Sequence, residues 1–341
     1  MKNRHAIRVR LIQLLLLAAL LCAAVYSLCS GVYHVSAPNV VSIVFSHIFS
    51  LEKTWTDTMY RVVMYSRFPR IIAAMVVGLA LSLAGSGYQG VFRNPLVSPD
   101  LLGVSNGACI GVAISILLGL GYYGNLILSF AGGMLAVGLT VLFPRLMRSR
   151  STTSLILSGV IVGGFFTSLL GILKYVADPD TELAEITYWQ LGSLAKVRTD
   201  SLYILVPVIL IFAVLLFLLR WRINAISVGD REARALGVNL TRERGLLILC
   251  STVLTAASIC LSGTIGWIGL VVPHLSRMMV GHNNAHVLPT SALLGALFLV
   301  VVDTISRTLT GAEIPLGIIT GLLGTPFFAF ILVNQRSRNE E

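Results

Sequence analysis

The sequence predicts an all-α, polytopic membrane protein with about ten transmembrane helices, forming a single membrane domain over residues 1–341. Hydrophobic residues make up 56% of the chain and charged residues only 12%, about half the charged share of an ordinary soluble domain. The mean hydropathy is +0.86. The apolar residues are grouped in runs near the length of about 20 residues that a helix needs to cross a bilayer. This composition excludes a soluble domain.

Ten apolar segments meet or approach the spanning length, although glycine or proline interrupts several of them. Irregular backbone within a membrane is tolerated where it is buried in protein or lines a wet cavity, so these interruptions are compatible with spanning. An even number of spans places both termini on one side of the membrane. The predicted segments cover residues 11–31, 70–92, 101–119, 126–146, 155–175, 202–219, 246–261, 267–279, 287–309 and 314–333.

The distribution of basic residues predicts the orientation of these spans. Of the 25 lysines and arginines, 17 fall on the side of the two termini. Cytoplasmic loops carry the excess of basic residues, so both termini are predicted to lie in the cytoplasm and the chain in the cytoplasmic membrane. The net charge of +10 is therefore attributed to topology. No nucleic-acid partner is expected, because the basic residues form short clusters between apolar runs.

The N-terminus, the cysteines and the external loops each give a further expectation. The basic N-terminus and its apolar run resemble a signal peptide, but the run exceeds the usual 7–15 residues, so an uncleaved first helix is predicted. All five cysteines lie in apolar segments without a CxxC pair and are expected to be buried. The external loops 32–65 and 176–200 are long enough to hold structure.

Residues 220–244, RWRINAISVGDREARALGVNLTRER, form the one long, dense block of charge between apolar segments. The apolar residues in its middle have short helical spacing punctuated by Gly229 and Gly237, which predicts two short helices joined at glycines. One interpretation is a surface that a partner outside the membrane recognises. The other is a solvated connector whose arginines only determine topology.

Residues 67–107 are the second informative stretch. Asn94, Pro95, Pro99 and Asp100 are expected to end one helix before a short one begins. Small residues allow neighbouring helices to approach closely. A helix-packing face is therefore predicted at Gly78, Gly85, Gly87 and Gly90.

Five runs along the chain are similar to the signature segments of the FecCD family, which supplies the permease subunits of ABC importers for iron(III) siderophores, haem and cobalamin. The resemblance extends over nearly the whole chain. It implies a type II ABC importer permease fold of ten helices. The runs are RFPR, GYQGVFRNPLVSPDLLGVSNGA, GDREARALGVN, GTIGWIGLVVPHLSR and EIPLGIITGLLGTPFF.

The resemblance also implies the partners. They are a second permease copy or homologue, two ATPase subunits on the cytoplasmic side, one extracytoplasmic binding protein, and the surrounding lipid bilayer. It makes residues 220–245 a cytoplasmic coupling loop that seats in clefts of the ATPases, where a short rigid helix moves as a body. The implied coupling residues are Gly229, Asp230, Glu232, Ala233, Leu236 and Gly237.

Two further sites follow from the resemblance. Arg67, Arg70 and Arg307, at the outer ends of predicted spans, correspond to arginines that pair with carboxylates of the binding protein, a pairing suited to bidentate geometry. The alternative is that these arginines reach lipid headgroups. A cytoplasmic gate is implied at Thr152 and Thr153, which could equally be ordinary N-terminal helix caps.

No GxxxxGK[ST] phosphate-binding loop occurs in the sequence, so ATP is not expected to bind this chain. By the resemblance, ATP and magnesium bind the partner ATPase, and the chain itself has no catalytic residues and no cofactor. A metal site is not expected either. His274, His282 and His286 are spread over a helix end and a loop, whereas metal ligands converge.

Asp303 is the clearest ionisable residue within a predicted span, where a charge is costly and usually paired. A proton or ion site would favour an ion-coupled secondary transporter, complete in one chain. A structural pair with Arg307, one turn along, is the preferred interpretation, because a proton relay normally needs several acids. An intramembrane enzyme would need a polar catalytic cluster within the spans, and the sequence lacks one.

The resemblance makes an iron(III)–siderophore complex the expected cargo, with haem and cobalamin as alternatives. A large amphipathic chelate suits a pathway of apolar and small polar side chains better than a bare ion, which needs charged or carbonyl rings. The sequence leaves the choice between a homodimer and a heterodimer open.

Overall fold

A computed structural model describes residues 2–46, 53–148, 151–310 and 312–339, and within these ranges the regular structure is helical. Seven helices are long and apolar enough to cross a membrane, and three shorter apolar helices accompany them. Each of these ten helices overlaps one of the ten predicted segments. The all-α prediction is confirmed, and the helix inventory agrees with about ten spans.

In the first half of the chain, helices alternate with short irregular stretches. A π-helical turn at Val62–Arg67 joins the helix Asp57–Arg61 to the helix Phe68–Phe92, and the second of these ends where Arg93 takes a left-handed conformation with φ of 52°. A 3₁₀ turn at Pro99–Leu102 then precedes a short helix, as the prolines predicted. The helices are α1 (Lys2–Cys29), α2 (Ala37–Phe45), α3 (Asp57–Arg61), α4 (Phe68–Phe92), α5 (Val104–Leu117), α6 (Gly121–Leu146) and α7 (Thr152–Val176).

In the second half, the dense block of charge separates two groups of spans. It folds into two short helices divided at Gly229, as predicted. The two long loops predicted at residues 32–65 and 176–200 also hold structure, namely α2 in the first and the helix Glu182–Leu191 in the second. The helices are α8 (Glu182–Leu191), α9 (Thr199–Leu218), α10 (Arg220–Val228), α11 (Asp230–Ala235), α12 (Leu240–Ser262), α13 (Ile268–Val280), α14 (Asn284–Thr308) and α15 (Leu316–Asn339).

Helices α4 and α12 form the centre of the bundle. Of the residues in their apolar windows, 83% are buried, against 28–33% in α1, α6, α7 and α9. The peripheral helices expose large apolar side chains such as Leu14, Ile127 and Val160. In a membrane such surfaces contact acyl chains, so α4 and α12 are the helices shielded by protein.

The predicted glycine face of α4 is confirmed. A Cβ atom built on Gly85 would overlap the carbonyl oxygen of Gly269 in α13, and one built on Gly78 would overlap that of Gly295 in α14. Backbones approach this closely only where both side chains are absent. The glycines therefore place α13 and α14 directly against the central helix.

Helices α1 and α14 run parallel, and polar contacts at their ends define two ends of the bundle. At one end the rings of His5 and His286 are 6.0 Å apart, and Asn224 of α10 donates to Asn283 at 2.8 Å. At the other end Thr304 Oγ1 donates to Ser27 Oγ at 2.8 Å. The charged block therefore lies at the same end as the beginning of α1.

Burial of the cysteines follows the prediction with one exception. Cys29, Cys109, Cys250 and Cys260 are buried, whereas Cys22 is exposed. The expectation was wrong for Cys22 because α1 lies at the periphery and only part of its surface is covered.

Candidate functional site

A cluster of ion pairs lies at the end of the bundle opposite the charged block. Arg70 Nε donates to Asp303 Oδ1 and Oδ2 at 2.9 and 3.1 Å, and Arg70 Nη1 donates to Glu313 Oε1 at 2.7 Å. Asp303 is fully buried, and Arg307 Nε lies 3.6 Å from Asp303 Oδ2. Two guanidinium groups thus balance two carboxylates, as buried charges require.

This cluster refines the sequence interpretation of Asp303. The predicted pair with Arg307 is present, but it is the longer of the two contacts. The principal partner is Arg70, 233 positions away, which the sequence interpretation did not identify. Periodicity shows neighbours on one helix and cannot show which distant helix supplies the opposite charge.

Arg67 and Arg307 both bind the end of α1. The last carbonyl groups of a helix lack partners within it and carry partial negative charge, so they attract cations. Arg307 Nη1 donates to the Ser30 carbonyl at 2.8 Å and its Nη2 to Ser27. Arg67 donates to the carbonyl oxygens of Leu28, Cys29 and Tyr33.

The contacts of these arginines bear on the predicted docking role. Arg67 is 5% exposed, and the side chains of Arg70 and Arg307 are 10% and 8% exposed. Their burial also excludes the alternative in which they reach lipid headgroups. Direct pairing with a binding protein would require internal bonds to break, so the docking role stays a prediction.

One face of the charged block is exposed to solvent, and the other face packs against the bundle. Ile223 and Ile226 of α10 and Ala233 of α11 are fully buried. Glu232 and Gly237 are exposed, and Leu236 is 70% exposed despite being apolar. An exposed leucine with a charged rim is a typical feature of an interaction surface.

Asp230 fastens this block to the bundle. Its Oδ1 lies 2.6 Å from Arg244 Nη2 of α12 and 3.2 Å from Arg93 Nη2 at the end of α4. Gly229, with φ of 150°, occupies a conformation that favours glycine. Among the implied coupling residues, Asp230 and Ala233 therefore face inwards and hold α11, whereas Glu232 and Leu236 face outwards.

Thr152 and Thr153 begin α7 at the end where the charged block lies. The capping side chain is Ser151, whose hydroxyl accepts from the Thr153 backbone N–H at 3.1 Å. Thr153 is exposed and Thr152 is half-buried. Neither threonine is the cap, and their role as a gate stays a prediction.

Among the described residues, no group of three or more His, Cys, Asp or Glu side chains could hold a metal ion. His274 is buried in α13, and His286 stacks edge-on against His5.

Comparisons with known proteins agree with this architecture. The model of the FecCD transport family matches residues 16–334. The molybdate import permease MolB of Haemophilus influenzae is 38% identical over 92% of each chain. An iron chelatin transport system permease of Helicobacter pylori is 42% identical over 81% of this chain and 83% of its own.

A solved structure of similar size has the same fold. It is described as a metal-chelate type ABC transporter in an inward-facing conformation, and it is 36% identical with a TM-score of 0.86. The match covers 95% of this chain and 99% of the other. The chain therefore belongs to the FecCD transport family of ABC importer permeases.

Proposed function

We propose that the chain is the permease subunit that carries an iron(III)–siderophore complex across the cytoplasmic membrane. The observation that supports this cargo best is the 42% identity to the iron chelatin permease of Helicobacter pylori. The metal-chelate type transporter of the same fold points to the same chemical class. Haem and cobalamin remain the alternatives within the family.

The energy for transport comes from separate ATPase subunits. The sequence contains no phosphate-binding loop. The exposed face of α11, with Leu236 beside Glu232, supplies an apolar contact and a polar rim to a cytoplasmic partner. ATP and magnesium belong to that partner, and its movement would be transmitted through the residues that anchor α11, namely Asp230 and Ala233.

The remaining parts of the assembly are a second permease copy or homologue and an extracytoplasmic binding protein. Both termini are placed in the cytoplasm, because most basic residues lie on that side. The ion-pair cluster around Arg70 then lies at the external end, near the surface on which a binding protein would dock. Thr152 and Thr153, at the cytoplasmic end, would form the gate.

Molybdate is a second candidate cargo, favoured by the 38% identity to MolB over 92% of each chain. Molybdate is a small oxyanion, whereas a ferric siderophore is a large amphipathic chelate. A secondary transporter is not supported: its required proton site, Asp303, is paired with two arginines.

Reconstitution tests this proposal directly. The chain is purified with its co-expressed genetic neighbours, placed in liposomes, and supplied with radioactive iron–siderophore, haem, cobalamin or molybdate. We expect ATP-dependent uptake of the iron complex that is lost when the ATPase is omitted. Uptake of molybdate but not iron would overturn the cargo, and uptake driven by an ion gradient alone would overturn the mechanism.

A further inference from the structure

Asp100 lies in the 3₁₀ turn between α4 and α5, and its side chain is exposed. It borders a small recess to which four segments contribute, including Thr255 of α12 and Trp267 at the start of α13. Polar groups are concentrated there, since Ser98 and Ser105 also line the recess. Asp100 is thus an acidic side chain at a point where the central helices meet.

The depth of this turn follows from its neighbours. Thr140 Oγ1 donates to the Leu102 carbonyl at 3.0 Å, six residues before α6 ends at Leu146. A Cβ on Gly159 would overlap the Leu101 carbonyl, seven residues after α7 begins at Thr152. At 1.5 Å per residue, both counts place the turn roughly 10 Å inside the helix ends.

Asp100 differs from the other deep acid in having no cation beside it. Asp303 contacts two arginines, whereas Asp100 forms no ion pair with any basic residue in the described ranges. One of its carboxylate oxygens accepts a hydrogen bond from the Ser105 hydroxyl. An unpaired carboxylate at this depth is costly unless it reaches water.

The two central helices form the walls of the recess. Thr255 and Ile259 belong to α12, one of the two central helices, and both are buried. Leu81, on the opposite wall, belongs to α4, the other central helix, and is also buried. A single charge held between low-dielectric walls produces a strong local field and concentrates ions of opposite sign.

We propose that Asp100 faces the aqueous translocation pathway and determines its charge selectivity. It favours cargo that carries a positive charge or hydrogen-bond donors and disfavours anions. The cargo part of this inference rests on the proposed function, whereas the placement of Asp100 and its field do not.

Placement is tested by thiol accessibility in the assembled transporter with its ATPase, in a Cys22→Ser background. Asp100→Cys is exposed to membrane-impermeant methanethiosulfonates from each side, with and without nucleotide. We expect labelling within about tenfold of the rate for Arg4→Cys, a cytoplasmic surface control that is exposed at the start of α1 and outside the coupling loop. Ile127→Cys, exposed on the peripheral helix α6, should stay unlabelled. Asp100→Cys as unreactive as Ile127→Cys in every state would overturn the placement.

The field is tested at a neighbouring position. Ser98→Cys is labelled with cationic and anionic reagents of matched size, and the ratio of the two rates is compared with and without Asp100→Asn. We expect Asp100→Asn to lower the cationic preference on the order of tenfold. Asp200→Asn, an exposed acid at the external end, should leave the ratio unchanged. An unchanged ratio in Asp100→Asn would overturn the selectivity claim.

Cargo selectivity is then measured with ferric complexes of one linear trihydroxamate whose terminal amine is free, acetylated or succinylated. These complexes share the iron site and differ in charge. Asp100→Asn should lower uptake of the cationic complex relative to the anionic one by about tenfold, and Asp100→Glu should not. An unchanged ratio would overturn the cargo preference. If the wild type takes up none of them, the iron proposal fails, while the two labelling experiments still decide the role of Asp100.

Discussion

Arg70 and Asp303 lie 233 positions apart, yet the Arg70 Nε donates to both carboxylate oxygens of Asp303 at 2.9 and 3.1 Å. The pair joins the beginning of α4 to the end of α14. Arg70 also donates to Glu313, which lies in the segment before α15. One guanidinium therefore connects three parts of the bundle at the end opposite the charged block.

Removing either partner of this pair should destabilise the fold. Arg70→Met or Asp303→Asn leaves a buried charge without its principal partner, which costs up to about 3–5 kcal/mol. Thermal unfolding in detergent, followed by reaction of the buried cysteines with a thiol dye, measures the loss. Asp57→Asn removes the exposed pair with Lys53 and should have little effect. Arg70→Met combined with Asp303→Asn should cost less than the sum of the two single changes, and strict additivity would contradict the pairing.

The close approach of α4 and α13 gives a second prediction. Gly85→Ala places a methyl group on the Gly269 carbonyl, and such overpacking costs about 1–3 kcal/mol. The matched control is Gly138→Ala in α6, where a Cβ meets open space. That change should be neutral or slightly stabilising, because alanine is the better helix former. Equal unfolding temperatures for the two variants would contradict the packing.

Leu236 is the residue on which the coupling prediction depends most. Leu236→Asp removes about 1.5–3 kcal/mol of apolar burial at a partner surface, so ATPase affinity should fall on the order of tenfold or more. Co-purification and ATP-dependent uptake measure the effect. Val32→Asp makes the same kind of change at a site that is 96% exposed near the opposite end of the bundle, and it should leave the complex intact. Wild-type ATPase binding in Leu236→Asp would refute the role.

Asp230 should control the rigidity of α11 rather than contact a partner. Asp230→Asn weakens the ion pairs with Arg244 and Arg93, so amide hydrogen exchange over residues 230–236 should become faster. Glu232→Gln, which alters an exposed carboxylate on the same helix, is the control. Unchanged exchange in Asp230→Asn would show that other contacts hold the helix.

Arg67 provides a test between structural and docking roles. Arg67→Lys keeps the charge but cannot reproduce the planar fork that serves three carbonyl groups. We expect a loss of about 1–3 kcal/mol in stability. Affinity for the binding protein, measured on the folded fraction, should stay near the wild-type value. A fully stable variant with weakened binding would instead establish the docking role.

Local sequence patterns predicted the elements well. The apolar runs identified the seven long and three shorter apolar helices of the described residues, and the spacing of small residues identified the face of α4. Pro95 and Pro99 located the break before α5, and Gly229 located the division between α10 and α11. Each of these features is decided by residues close together in the chain.

The missed features depend on residues far apart. The sequence identified Asp303 as a buried acid, but the choice of Arg70 depends on how α4 packs against α14. The contacts of Arg67 with carbonyl groups at the end of α1 were likewise not predicted. Asp100 was interpreted only as a helix breaker, because its surroundings combine several segments. One signal in the sequence could have suggested the pair of Arg70 and Asp303, namely an arginine and an acid at similar depth in two predicted spans.

The contacts between α1 and α14 have a consequence for biosynthesis. Arg307 binds residues of α1 that precede it by 277 and 280 positions. At about 5–20 residues per second, the ribosome needs roughly 14 to 55 seconds to supply that partner. During this interval α1 must remain in the lipid without its polar contacts, which its mostly apolar surface allows. Completion of the bundle is therefore delayed until one of the last helices is inserted. A nascent chain stalled before α14 would lack the Arg307 contacts that hold the end of α1.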